Sequence, residues 1–169
     1  MNNIIKKIDI PIQFLSRFIL GYIFLYASID KIVNPIAFSS NIDNYHISPI
    51  YLNNIAALII PWIEFIIGIF LLFGCFRFIN VVKDRINIRY LEKYVKASSL
   101  LSIFLLIFFV FILSQAYYRG IDVHCGCFKS VSSLSTSDLK YEMLNRIIQD
   151  IIFLGLAIIV YFYKFNNEE

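Results

Sequence analysis

The chain has 169 residues, of which 59% are hydrophobic and 16% charged, and its formal net charge is +3. Soluble domains carry about 25% charged residues, and a mean hydropathy of +0.73 means more apolar side chains than one soluble domain of this length can bury. The composition therefore excludes an ordinary soluble protein and indicates a single membrane domain over residues 1–169. A charge this small also excludes a nucleic-acid-binding surface of the usual basic kind.

Four apolar segments are long enough to cross a bilayer as helices, which requires about 20 residues each. We predict spans over approximately residues 10–32, 55–74, 97–118 and 147–163. The third span contains no charged residue, whereas the fourth is the shortest and holds Asp150 near its beginning. The sequence therefore predicts an all-α fold, an integral membrane four-helix bundle.

Lysine and arginine are distributed unevenly between the connections. The connection over 77–96 is basic, whereas Lys31 is the only basic residue from Asp30 to Asn54. Because basic residues in short loops stay in the cytoplasm, we expect the protein to lie in the cytoplasmic (inner) membrane with both termini inside the cell.

The basic connection has no assigned role, and its part from Asn87 to Lys96 is either an interfacial helix or an extension of the third span. We also expect a short amphipathic segment in the first outer connection, with apolar residues Phe38, Tyr45, Ile47, Ile50 and Tyr51.

The third connection contains a Cys-Gly-Cys motif, which the expected orientation places outside the cell. A disulfide between Cys125 and Cys127 would close a very small ring, and strained disulfides are easier to reduce than structural ones. Gly126 provides backbone freedom for that ring, and His124 and Lys129 are close enough in sequence to stabilise a thiolate. The motif therefore indicates a catalytic dithiol/disulfide pair whose partner is a thioredoxin-like or disulfide-containing extracytoplasmic protein.

Two other interpretations of the motif remain open at this point. The disulfide could simply fix the loop of a non-catalytic assembly factor or anchor. Alternatively, the two thiolates and the His124 imidazole are soft ligands that suit Cu(I). The third cysteine, Cys75, falls at the opposite end of the second span, and we expect it to serve packing.

Asp30 and Lys31 fall at the end of the first predicted span, and three further charged residues fall inside the spans: Arg17, Glu64 and Asp150. Each costs about 3 kcal/mol in a bilayer unless it is paired or hydrated, so each needs a partner or a function. Glu64 falls near the middle of the second span, and Arg146 and Asp150 are four residues apart on one helix face. Mutual neutralisation would account for them. So would proton handling, or contact with the headgroup of a quinone, a cofactor that Glu64, Arg146 and Asp150 could hold.

Polar residues also cluster at the outer helix ends. Lys31, Arg119 and Asp122 are all expected there, at the level of the cysteine pair. They are therefore supporting residues of the candidate site.

Several of these residues occur together, in the same order, in one family. The chain resembles the MauE branch of the DoxX-like membrane proteins over nearly its whole length, and the shared positions are Arg17, Gly21, Lys31, Asn34, Pro35, Phe38, Pro61, Glu64, the segment from Arg119 to Phe128, and Arg146. Lys129 departs from the pattern, because the family commonly has glycine there. The resemblance implies a four-helix membrane protein associated with periplasmic redox maturation, often beside thioredoxin-like partners. In the case of MauE itself, it implies a link to a disulfide-rich subunit of methylamine dehydrogenase.

Overall fold

A computed structural model describes residues 2–45, 49–75, 88–120 and 136–162. All the regular structure in these ranges is helical, which confirms the predicted all-α fold. The helices are α1 (Asn2–Val33), α2 (Pro35–Asn44), α3 (Ile50–Cys75), α4 (Ile88–Tyr118) and α5 (Thr136–Phe162). Four of them are long and apolar enough to cross a membrane, over Pro11–Val33, Ile50–Cys75, Tyr90–Tyr118 and Lys140–Phe162.

The spanning helices extend beyond the predicted spans at several ends. The largest extension is in α5, which begins at Thr136, well before residue 147. Hydropathy detects only the apolar centre of a helix, whereas polar residues with good helix propensity continue the same backbone hydrogen bonds beyond it. The segment from Asn87 to Lys96 was expected to be either an interfacial helix or an extension of the third span. Its residues from Ile88 to Lys96 belong to α4, so this part extends the third span.

The short helix α2 begins at a corner that the sequence dictates. Pro35 disfavours helical geometry at the residue before it, and Asn34 leaves the helical region with φ −124° and ψ 62°. Proline is well suited to the first turn of a new helix, because no partner is needed there for its missing N–H. The Asn34 carbonyl accepts from the backbone N–H of Phe38 at 3.1 Å, so α2 starts directly after α1 ends.

Two polar contacts hold α2 against the beginning of α3. The Ser39 hydroxyl donates to Asn54 Oδ1 at 2.6 Å, and Asn53 Nδ2 donates to Asp43 Oδ1 at 2.9 Å. Asn53 is buried, so its bond to Asp43 satisfies a side chain that would otherwise be costly there. The expected short element in the first connection is thus a helix fixed to α3.

Helices α1 and α3 approach each other most closely at Gly21 and Gly68. A Cβ atom built on Gly68 would lie 2.7 Å from Leu25 Cγ and 3.0 Å from the Gly21 carbonyl oxygen. Small residues at such a crossing let two membrane helices pack backbone against backbone. Because Gly21 also meets Leu72 and Arg17 meets Gly74, the two helices run antiparallel.

The buried apolar residues form two clusters. The larger one lies in the middle of the bundle and towards the end that contains Cys75, which we call the Cys75 end; it comprises Leu20, Phe24, Ile67, Leu71, Val95, Leu106, Ala157 and Val160. The smaller one lies towards the opposite, Asn34 end; we call it the Tyr45 cluster, and it comprises Tyr45, Leu113, Ala116 and Met143. The space between the two clusters is where the candidate site lies.

The α1–α3 crossing provides a stability test with a matched control. We expect Gly68→Ala to destabilise the bundle by about 1–3 kcal/mol, because the Gly21 carbonyl is backbone and cannot move aside as a side chain would. Gly155→Ala introduces the same methyl group where no atom lies within 4 Å, and it should be neutral or stabilise by about 0.5–1 kcal/mol. Unfolding in detergent micelles, followed by circular dichroism, measures both. Equal effects of the two variants would contradict the close crossing.

Candidate functional site

The site is built around a buried ion pair between α1 and α3. Lys31 lies in the last turn of α1, and its Nζ donates to both carboxylate oxygens of Glu64, at 2.7 and 2.9 Å. The two side chains are only 4% and 3% exposed. In the absence of water each charge requires the other, because an unpaired charge at this depth would be very costly. The pair therefore fixes the end of α1 against the middle of α3.

Two aromatic rings complete the surroundings of the lysine. The Lys31 Nζ lies over the ring of Phe38 on α2, 5.0 Å from its centroid, and over the ring of Phe109 on α4, 5.1 Å from its centroid. The π face of an aromatic ring attracts a cation, and the attraction is strongest where water is excluded. Through these contacts one ammonium group joins α1, α2, α3 and α4.

Helix α5 contributes three polar side chains to the same region. Arg146 Nη1 donates to Gln149 Oε1 at 3.1 Å, and Asp150 interacts electrostatically with Arg146, Lys31 and Glu64. Arg146 and Asp150 are partly buried, whereas Gln149 is exposed. The structure thus brings the ion pair of α1 and α3 together with the charged face of α5.

One cavity of about 590 Å³ is lined by the two side chains of the ion pair and the three polar side chains of α5, which are Lys31, Glu64, Arg146, Gln149 and Asp150. This volume is typical of small-molecule sites, which range over roughly 300–1,000 Å³. Among the described residues, the rest of the lining consists of the ring of Tyr45 and of apolar side chains contributed by all five helices, α1 to α5. Such a cavity can hold a largely apolar molecule with a polar group directed at Glu64, Asp150 and Arg146.

The other sequence-predicted residues lie elsewhere. Arg17 is buried at the Cys75 end, where its Nη1 donates to the Gly74 carbonyl at 3.3 Å. Arg119 is exposed in the turn after α4, beyond the cavity. Four further residues of the predicted site fall outside the described ranges: Asp122, His124, Cys125 and Cys127.

Metal-binding groups do not converge in the described part of the chain. No three His, Cys, Asp or Glu side chains within those ranges are grouped as a metal site would require. The Cu(I) interpretation depends on Cys125, Cys127 and His124, which lie outside the described residues, so the structure does not test it.

Sequence reasoning missed the pairing of Lys31 with Glu64 and the presence of Phe109 and Gln149. It expected Lys31 at the helix end and Glu64 in mid-span, and nothing in the spacing indicated that the long lysine side chain reaches down to the carboxylate. Phe109 is one of many phenylalanines in α4, so composition does not distinguish it. Gln149 could have been found, because it is a polar residue between Arg146 and Asp150 on the same helix.

The ion pair provides a second test, a double-mutant cycle. We expect Glu64→Met to destabilise the bundle by about 3–5 kcal/mol, because it leaves the Lys31 ammonium buried without its counter-ion. Adding Lys31→Met should recover part of this loss, because the remaining charge is then removed as well. Lys140→Met, which removes an exposed lysine, is the control and should change stability by less than about 0.5 kcal/mol. Simple additivity of the two single effects would contradict a coupled buried pair.

Comparison with known families gives a match over most of the chain. The model of the family described as "Methylamine utilisation protein MauE" matches residues 10–163, which is most of the chain. Comparison with curated proteins and with solved structures gives no match. The matched range includes every described residue that lines the cavity, and on this coverage the chain belongs to the MauE family.

Proposed function

We propose that this protein is a membrane thiol-disulfide redox protein in which Cys125 and Cys127 cycle between dithiol and disulfide. The pair would exchange electrons with a thioredoxin-like or secreted protein on the extracytoplasmic side of the inner membrane. Membership of a family tied to methylamine utilisation supports a role in maturing an extracytoplasmic protein of that pathway. The thiol chemistry rests on the cysteine motif itself.

The observation that carries the proposal is the cavity of about 590 Å³ with charged side chains in its wall. A disulfide that oxidises its clients must itself be reoxidised, so it requires an electron acceptor. The segment that bears the cysteines joins α4 to α5, and both helices line the cavity. Glu64, Arg146 and Asp150 provide carboxylates and a guanidinium that suit the oxygen atoms of a quinone headgroup. A quinone bound there is the acceptor we propose.

The surroundings of Cys75 favour the oxidising direction. A protein that carried reducing equivalents across the membrane would need a second dithiol at the other end of the bundle. Cys75 is a single thiol, 7% exposed, and its Sγ lies 3.8 Å from the Phe14 carbonyl and 3.6 Å from the Leu71 carbonyl. It is suited to packing and not to disulfide exchange with a soluble donor.

The proposed reactions balance in atoms and electrons. In the first, the Cys125–Cys127 disulfide accepts two electrons and two protons from a client dithiol, through a mixed disulfide, and the client disulfide forms. In the second, the Cys125–Cys127 dithiol is reoxidised to the disulfide, and its two electrons and two protons reduce a quinone to the quinol. The two reactions together transfer electrons from client thiols to the membrane quinone pool.

Trapping of a mixed disulfide tests the thiol chemistry. In a Cys75→Ser background, Cys127→Ser and Cys125→Ser each leave one loop thiol. This thiol should exchange with a disulfide of an oxidised client, forming a bond to one client sulfur and releasing the other as a thiol, so that the client is held in a covalent complex. We expect a complex that is visible on non-reducing gels, disappears on reduction and contains an identifiable secreted or thioredoxin-like protein.

The matched control carries Cys125→Ser and Cys127→Ser in the same Cys75→Ser background, which leaves no cysteine and should trap nothing. If that variant inserts normally and matures its clients as the wild type does, the redox proposal is wrong. The protein would then be a non-catalytic assembly factor or anchor.

A further inference from the structure

The cavity has an exposed wall between α3 and α4. Phe108 and Phe111 of α4 line it although they are 50% and 63% exposed, and Ala56 and Ile60 of α3 line it while partly exposed. This wall of the cavity therefore includes side chains that also reach the protein surface. In a helix that crosses a membrane, that surface faces lipid.

The exposed wall lies away from the tight contact between α3 and α4. At the Cys75 end the two helices pack closely: the rings of Phe70 and Tyr94 stack with centroids 5.2 Å apart, and a Cβ on Gly74 would lie 2.5 Å from Val95 Cγ2. The lining residues of α3 fall at Ala56, Ile60 and Glu64, and those of α4 fall between Leu106 and Leu113, towards the Asn34 end of each helix.

Between the cavity and the Asn34 end, the interior of the bundle is filled by side chains. Tyr45 and Leu113 line the cavity there and are 8% and 5% exposed, and they pack with Ala116 and Met143, which are 0% and 2% exposed. At the other end the larger apolar cluster, with Phe24 and Leu106, closes the bundle. Among the described lining residues, the exposed ones are Phe108 and Phe111 of α4 and Gln149 of α5, and the apolar ones, which suit contact with lipid, are those of α4.

The charges in the cavity wall select for an uncharged headgroup. Lys31 and Arg146 are cationic, Glu64 and Asp150 are anionic, and their formal charges sum to zero. Transfer of a proton within the Lys31–Glu64 pair would leave that sum unchanged. An ionised headgroup would add an uncompensated charge in a medium without water, whereas a neutral headgroup with polar oxygens adds none.

We propose that the cavity takes its ligand directly from the bilayer, through the opening between α3 and α4, and that the ligand is an uncharged quinone carrying an alkyl or isoprenoid tail. The headgroup lies against Glu64, Arg146 and Asp150, and the tail leaves past Phe108 into lipid. The choice of a quinone rests on the proposed function. The lateral route and the neutral head rest on the opening and on the charges.

The ligand class is tested by competition on the full-length protein in phosphatidylcholine nanodiscs. The probe is a fully substituted benzoquinone with a decyl tail that carries a photoreactive group, and the labelled peptides are identified by mass spectrometry. Unlabelled decyl-tailed benzoquinone should compete at least tenfold better than decanoate or decylammonium at equal concentration in the membrane. It should also compete at least tenfold better than the same quinone without a tail. Equal competition by the charged or the tail-less compounds would overturn the proposal.

The route is tested by adjacent residues of α3. Ile60→Trp places a large ring in the opening and should weaken probe binding about tenfold, because Ile60 lines the cavity. Ile59→Trp makes the same change one residue away, on an exposed surface that does not line the cavity, and should leave binding unchanged. Size-exclusion chromatography and circular dichroism establish that both variants are folded. Equal binding by the two folded variants would exclude the lateral route.

The same binding assay separates this inference from the proposed function. The Cys125→Ser, Cys127→Ser double variant cannot carry out thiol chemistry, yet it should bind the probe as the wild type does. Binding without client trapping would retain the ligand site and remove the redox proposal. Trapping without binding would retain the thiol chemistry and remove the quinone site.

Discussion

The arrangement of the bundle depends on the ion pair between Lys31 and Glu64. A lysine at the end of one span and a glutamate in the middle of the next are each too costly to leave alone in a bilayer. They meet at 2.7 Å, with the rings of Phe38 and Phe109 around the ammonium group. Four helices are thereby held at one point. The ion pair makes this part of the bundle polar. The other charged side chains of the site, Arg146 and Asp150, lie in the same region.

The cavity follows from this constraint together with the way the helices pack. Glycines bring α1 and α3 into backbone contact, and a cavity remains beside the ion pair. Arg146 and Asp150 of α5 add a second pair of opposite charges to its wall. Among the described residues the wall is thus polar but has no net formal charge, which is the chemistry that a membrane-soluble redox molecule requires. The proposed function joins this cavity to the thiols of the connection between α4 and α5.

Much of the fold could be predicted from the sequence, because spans such as residues 97–118 are recognisable by hydropathy alone. The polar extension of α5 back to Thr136 was not predictable in the same way, since hydropathy does not register polar helical turns. For the site, the cost of a buried charge was enough to single out Glu64 and Asp150. The partner of Glu64 was not foreseeable, because it depends on how α1 tilts across α3 at Gly21 and Gly68. Neither was Phe109, because nothing in the sequence distinguishes it from the other phenylalanines of α4, although it is the one of them whose ring lies under the lysine ammonium.

The central claim is that electrons from the Cys125–Cys127 dithiol reach a quinone bound in the bundle. The most direct measurement starts from the fully reduced protein in nanodiscs under anaerobic conditions, with a fully substituted decyl-tailed benzoquinone added. Quinol formation is followed by absorbance and disulfide formation by mass spectrometry, with the Cys125→Ser, Cys127→Ser double variant as the control. The account predicts one disulfide between Cys125 and Cys127 for each quinol formed, and no quinol with the control. A quinone that stays oxidised while both cysteines stay reduced would contradict it.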